Sequence, residues 1–238
     1  MKVKLAPGGD KVAAVGRALD VLLAIGSARR GLSLADLANQ TRVPKSTILR
    51  FLQTLERRGF VIRGEGPIFH LGPANYGLGL AYKQKLRIDD VVRPVLSRLA
   101  RDCGESASLF VRQGDMRLCV VRVDGGSPVS DLVREGDLLN LRGAAGQTVV
   151  RFSQHLPSES ARPVVAVSRG ERTAETAGVA APVFDSDAFV GSVGLSGSIH
   201  RFTDAKVRRF VPLVRAAAEE ASGLLGGGDL WRRIAASD

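Results

Sequence analysis

Apolar positions along the chain switch from helical to alternating spacing as one structural unit gives way to the next. In residues 12–28, Val15, Leu19, Leu22, Leu23 and Ile25 recur at helical spacing and predict a first helix, ended by Arg29-Arg30-Gly31. Ser33 stands three residues before Asp36, the spacing of a capping box, and Leu34, Leu37 and Ala38 supply one apolar side of a short second helix. Thr41-Arg42-Val43 reads as a tight connection. Pro44 suits the first position of a third helix, where a missing N–H leaves nothing unpaired. After Gly59 the runs FVIR (60–63) and IFHL (68–71) flank Gly64-Glu65-Gly66-Pro67 and predict a hairpin closed by Gly72-Pro73. Three helices and a hairpin in about 60 residues outline a winged helix-turn-helix.

Residues 73–88 read as a helical connector, weakened by Gly77 and Gly79 at about 1 kcal/mol each relative to alanine. A second domain follows. An amphipathic helix is expected over 91–102, and strands over 106–112, 116–123, 129–133, 163–168, 178–184 and 189–196. Residues 143–152 look like a small-residue turn entering a helix. Thr203 caps a last long helix over 204–225, and Gly226-Gly227-Gly228 precedes a short tail. The order helix, strands, helix predicts an α+β class with a mainly antiparallel sheet. The expected divisions are a tail at 1–10, a DNA-binding domain at 11–72, a linker helix at 73–88, an effector-binding domain at 89–226 and a tail at 227–238.

The third helix has two opposed faces. At 100° per residue, Ile48, Phe51, Leu52 and Leu55 fall on one side, and Ser46, Arg50, Gln53 and Arg57 fall about 180° away. The second set offers the groups that read a major groove: guanidinium for guanine, amide for adenine, hydroxyl for base or phosphate. Leu49 lies at the margin, within reach of a thymine methyl. Lys45, Ser46 and Thr47 form the first turn, which enters deepest and presents N–H groups to phosphate. Arg63 beside the hairpin turn, Ser33 and Arg17 complete the candidate DNA contacts. A solvated basic face on a core helix would carry the same residues; the helix-turn-helix setting favours DNA.

Charge sharpens that reading. The chain has 238 residues and a net charge of +10. Residues 1–72 hold 12 lysines and arginines against 5 acids, so the excess sits in the first third and points to a polyanion partner there. Cys103 and Cys119 form no CxxC or Cys/His cluster, so neither metal nor other cofactor is expected. The first residues lack the apolar core of a signal peptide and no apolar run reaches 18 residues, so the expectation is a cytoplasmic protein with no membrane partner. His70, His155 and His200 sit in separate elements, and no GxSxG, HExxH, P-loop or GxGxxG occurs; an enzyme is not expected.

In the second domain, Gly143, Ala144, Ala145 and Gly146 at a helix start can present backbone N–H groups to a carboxylate. Arg142 adds a charge there, and Ser196 and Ser198 add hydroxyls from a strand end. A glycine-rich turn with no ligand is the competing reading.

The stretches RALDVLLAI (17–25), GLSLADLANQTRVPKSTILRFLQTLERRGFV (31–61) and HLGP (70–73) resemble the isocitrate-lyase-regulator (IclR) family of bacterial transcription factors. So do RPVLSRLARDCGESASLFV (93–111), GDLLNL (136–141) and GVAAPVFDSDAFVGSVGLSGSIHRFT (178–203). The resemblance covers most of the chain in family order. It implies a winged-helix DNA reader joined by a linker helix to a GAF/PAS-like effector domain. It further implies homodimers that pair again as tetramers on a pseudo-palindromic operator, and control of a catabolic operon by a small organic acid or aromatic effector. The chain departs from the family at Arg142–Gln147, where the usual histidine, threonine and lysine are missing. It departs also at Gly178, which replaces a usual cysteine, and between Phe152 and Gly178, where it is shorter. The alternative these departures leave open is a DNA-binding protein whose C-terminal domain only dimerises or docks a partner.

Overall fold

The computed structural model describes residues 12–28, 30–86, 88–127, 133–153 and 163–236. The expected N-terminal tail, the strand expected over 129–133 apart from its last residue, and His155 lie outside them. The described residues divide into two compact units between Lys85 and Leu86.

The first unit contains α1 (Ala13–Ser27), β1 (Leu32–Ser33), α2 (Leu34–Thr41), α3 (Lys45–Arg57), β2 (Val61–Arg63), β3 (Ile68–Leu71) and α4 (Pro73–Leu86). β3 lies centrally, antiparallel to both β1 and β2, with Leu32 opposite Phe69 and Arg63 opposite Phe69 on its other edge. Val21, Ile25, Leu37, Val43, Ile48, Leu52, Val61 and Phe69 form the core. The helical spacing in α1 marks two stripes rather than one. Val15, Leu19 and Leu23 are 56%, 51% and 41% exposed, while Val21 and Ile25, on the opposite side, are buried. Periodicity locates a helix but cannot say which of two apolar stripes meets the core.

The capping box at Ser33 forms in full. Asp36 N–H donates to Ser33 Oγ at 3.2 Å, and Ser33 N–H and Oγ donate to Asp36 Oδ2 at 3.1 and 2.6 Å. Arg42 closes α2 in the left-handed region, φ 58°. Pro44 stands at the cap of α3 rather than inside its first turn; its carbonyl accepts from Thr47 and Ile48 N–H, both at 3.0 Å. Gly72 is required by close approach: a Cβ there would lie 2.2 Å from the Gly59 carbonyl oxygen. The connector predicted over 73–88 is α4, and Asn75 ties its start to the wing by donating to the Phe60 and Gly72 carbonyls at 2.7 and 2.9 Å.

The second unit is α+β. It contains α5 (Ile88–Cys103), β4 (Ser106–Gln113), β5 (Met116–Val123), β6 (Leu138–Asn140), α6 (Gly143–Ser153), β7 (Ala166–Arg169), β8 (Thr176–Phe184), β9 (Phe189–Ser198), a 3-10 turn (Ile199–Arg201), α7 (Asp204–Leu224) and α8 (Gly228–Ala235). Six antiparallel strands run in the order β6-β5-β4-β9-β8-β7. Alternation along β8 divides the two faces. Ala177, Val179, Ala181 and Val183 join the core built with Val92, Leu96 and Leu99 of α5 and Phe210 and Val214 of α7. Ala180 turns the other way, onto Ala144 of α6. Thr203 caps α7 as expected, accepting from Lys206 N–H at 3.4 Å. Glu105, 2% exposed, is held bidentately by Arg201 at 2.7 and 2.8 Å.

Two segments differ from the pattern-based expectation. β6 was not legible, because three half-buried residues carry almost no periodicity. The segment after Gly227 is a docked helix rather than a tail. Leu230 and Trp231 of α8 are buried, and the Trp231 ring lies 6.2 Å from that of Phe184, itself in contact with Phe152 and Phe189. Glycines before it suggested a terminus, but only tertiary packing shows that an indole has a place to go.

Candidate nucleic-acid interface and effector cavity

α3 is fastened by its apolar side. Ile48 and Leu52 are fully buried, and Phe51 and Leu55 pack against the same core. Lys45, Ser46, Leu49, Arg50, Gln53 and Arg57 are exposed along the other side, and Thr47 is half-buried. The structure therefore brings together the row that the helical wheel picked out. No side chain caps the start of α3, so its positive end is presented with Lys45 and Ser46. Arg57 Nε reaches back to the Gln53 carbonyl at 3.4 Å.

The flanking candidates are placed differently. Arg63 is 61% exposed but its Nε donates to Glu56 Oε1 at 2.8 Å, linking the wing to the last turn of α3, and its guanidinium sits 5.4 Å above the Phe69 ring. The Ser33 hydroxyl is engaged in the α2 cap. Arg17 is exposed and donates to the Ala13 carbonyl of its own helix at 3.2 Å.

In the second unit a cavity of about 40 Å³ opens between the start of α6 and the middle of β8 and β9. Gly143, Ala144, Ala145 and Ser196 line it, as do Arg117, Ser168, Arg172 and Gly178. Arg142, Gly146 and Ser198 do not stand among the lining residues. The Arg142 side chain is exposed; its N–H donates to Asn140 Oδ1 at 3.3 Å. Gly146 packs on the Leu141 carbonyl, where a Cβ would come within 2.5 Å. Ser198 pairs with Thr176 at the strand end. Gly143 begins α6 with φ 76°, a left-handed conformation that glycine adopts without strain.

One backbone donor of that helix start is already engaged: Ala144 N–H donates to Ser168 Oγ at 2.7 Å. Arg117, in the middle of an apolar strand, is 3% exposed. Its Nη1 donates to the Asn140 and Arg142 carbonyls at 2.7 and 2.6 Å, and its guanidinium lies 4.9 Å above the Phe110 ring. Sequence reasoning passed over Arg117, Ser168 and Arg172. A lone arginine inside an apolar strand was the one signal available for the first.

A winged helix-turn-helix with an outward cationic row, beside an α+β unit with a curled antiparallel sheet and a small cavity, defines the class of a DNA-binding transcription regulator. Comparison with known proteins gives the family. Residues 14–64 match the IclR helix-turn-helix domain and residues 158–223 match the bacterial transcriptional regulator IclR C-terminal domain. The chain belongs to the IclR family of bacterial transcriptional regulators, whose members are regulators and not enzymes.

It is 24% identical over 228 residues to the HTH-type transcriptional regulator KipR of Bacillus subtilis, covering 82% of this chain and 90% of that protein. It is 38% identical over 111 residues to the HTH-type transcriptional regulator TtgV of Pseudomonas putida, covering 45% and 40%. The fold matches an IclR transcriptional regulator from Alicyclobacillus acidocaldarius with a TM-score of 0.74 at 23% identity, over 91% of this chain and 100% of that one. It also matches an IclR homolog from Microbacterium hydrocarbonoxydans complexed with 4-hydroxybenzoate, with a TM-score of 0.75 at 19% identity over 89% and 98%. Among the described residues no helix is long and apolar enough to cross a membrane.

Proposed function

We propose that the protein is a sequence-specific DNA-binding regulator of a catabolic operon, controlled by a small-molecule effector. Each copy of a homodimer lays α3 in a major groove of a pseudo-palindromic operator, and the effector occupies the cavity at the start of α6. The observation that carries the reading is the division of α3 into a buried apolar face and an exposed row of Ser46, Arg50, Gln53 and Arg57. Effector control is supported by the cavity and by the fold shared with a relative that holds 4-hydroxybenzoate. In this reading Arg50, nearer the helix start than Arg57, contacts a base, and Arg63 meets phosphate at the cost of its pair with Glu56.

Arg50→Ala should weaken operator binding by about 1–3 kcal/mol and relax preference at one base pair per half-site, measured by gel-shift titration on systematically varied operators. Unchanged affinity and base preference would sink the assignment of the reading face. Operator binding should also fall steeply with salt. The second reading, a C-terminal unit that only dimerises, predicts that no small molecule alters operator affinity.

A further inference from the structure

We propose that the cavity beside α6 selects a small aliphatic carboxylate, with Arg117 and Arg172 as its counter-charge and a size limit that excludes an aromatic ring. The proposal rests on reading that cavity as the effector site. Its volume, about 40 Å³, decides the size. One water needs about 10–15 Å³, and an apolar cavity that accepts benzene measures about 150 Å³. There is room for a few heavy atoms and not for a six-membered ring. The walls are built from small residues: Gly143, Ala144, Ala145, Ala177, Gly178 and Ala180 all contribute to the lining.

Charge decides the class. The described lining residues include two arginines and no carboxylate. Arg117 is fixed before any ligand arrives, by two carbonyl acceptors and by the Phe110 ring beneath it. A cation immobilised in a buried strand loses little side-chain freedom on binding, and at low local dielectric it separates an anion from its neutral isostere. The Ala144 N–H is already occupied by Ser168 Oγ, so anchoring of the carboxylate falls to the guanidinium side rather than to this amide. Arg172 follows β7 and stands over the helix start, its Cβ 3.5 Å from where a Cβ on Gly143 would lie. Arg117 thus supplies the fixed charge and Arg172 the adaptable one.

Calorimetric titration of the full-length protein with propionate, propionamide and benzoate tests this. Propionate is expected to bind at least tenfold more tightly than either of the others. Arg172→Gln should lose at least tenfold in propionate affinity without altering weak binding of propionamide, and Arg172→Lys should recover most of the loss. Gly178→Ala adds a methyl 3.8 Å from the Ala144 Cβ and 3.0 Å from the Leu195 carbonyl oxygen; it should weaken propionate more than formate. Unliganded melting curves of the variants show whether each is folded. Propionamide or benzoate binding as tightly as propionate overturns the proposal. Failure of all three probes, with a neutral or aromatic ligand found in a wider screen, overturns the class and leaves the effector reading standing. No ligand of any class overturns both.

Discussion

Replacement of Trp231 tests whether the last helix is part of the fold. The indole is 1% exposed and is the protein's single tryptophan. A side chain of this size buries about 150–250 Å² of surface, worth roughly 4–6 kcal/mol at 25 cal/mol per Å². A realistic unfolded chain lowers that by about 10–40%. Its Nε1–H is buried with no hydrogen-bond partner among the described residues, an opposing cost of about 1–3 kcal/mol. Trp231→Ala should therefore destabilise the second unit by about 3 kcal/mol. Trp231→Phe keeps the ring against Phe184 and removes the unsatisfied donor, so it should cost within about 1 kcal/mol. Urea unfolding followed by circular dichroism gives both numbers, and wild-type fluorescence gives an independent reading because only this residue emits strongly. A native emission maximum typical of an indole in water, or an unchanged midpoint for Trp231→Ala, would refute the docking of α8. Phe152, at the far end of the helix whose start lines the cavity, stands in the same aromatic group. Trp231→Ala should for that reason also weaken effector binding.

Ser33→Ala removes the α2 cap and should destabilise the first unit by about 1 kcal/mol in thermal unfolding. Ser33 side-chain and backbone hydrogen bonds hold the Asp36 carboxyl below its ordinary pKa. A depressed folded pKa contributes stability above the unfolded value, lost as pH falls through the folded one; the gap between wild type and Ser33→Ala should narrow on acidification below about pH 4. Arg201→Met would leave Glu105 ionised and uncompensated in the interior, and should cost about 3 kcal/mol in the second unit; a shift near zero in chemical denaturation would show that the pair is not buried. Burial pushes the Cys119 thiol up to about 12 and that of Cys103 up to about 11. Alkylation of Cys119 at pH 8 should accordingly be at least about a hundredfold slower in the native protein than in urea, and equal rates would contradict the buried placement.

Much of the first unit was legible because its signals are local. The Ser33–Asp36 box, the glycines of the wing and the two faces of α3 each lie within a few residues of one another. What misled was α1, where Val15, Leu19 and Leu23 have the spacing of a core stripe and face outward. Two stripes of similar composition run along one helix, and the choice between them belongs to the partners. The cavity was half legible. The small residues at 143–145 marked the helix start, but Arg142, two places from Ala144, points elsewhere. Arg117 and Arg172, 55 residues apart, meet only when β5, α6 and the turn after β7 are assembled.

By itself the sequence determined the order of elements, the winged helix-turn-helix, the division of α3 and the antiparallel α+β class. Each of these follows from periodicity, capping and turn chemistry acting over one to four residues. Tertiary structure alone decided which face of α1 is covered, that the last eight helical residues dock through Trp231, and that the Ser168 hydroxyl takes the amide of Ala144. It also decided that the charge beside the cavity comes from Arg117 and Arg172. Those outcomes depend on contacts between residues far apart in the chain, and local pattern carries no record of them.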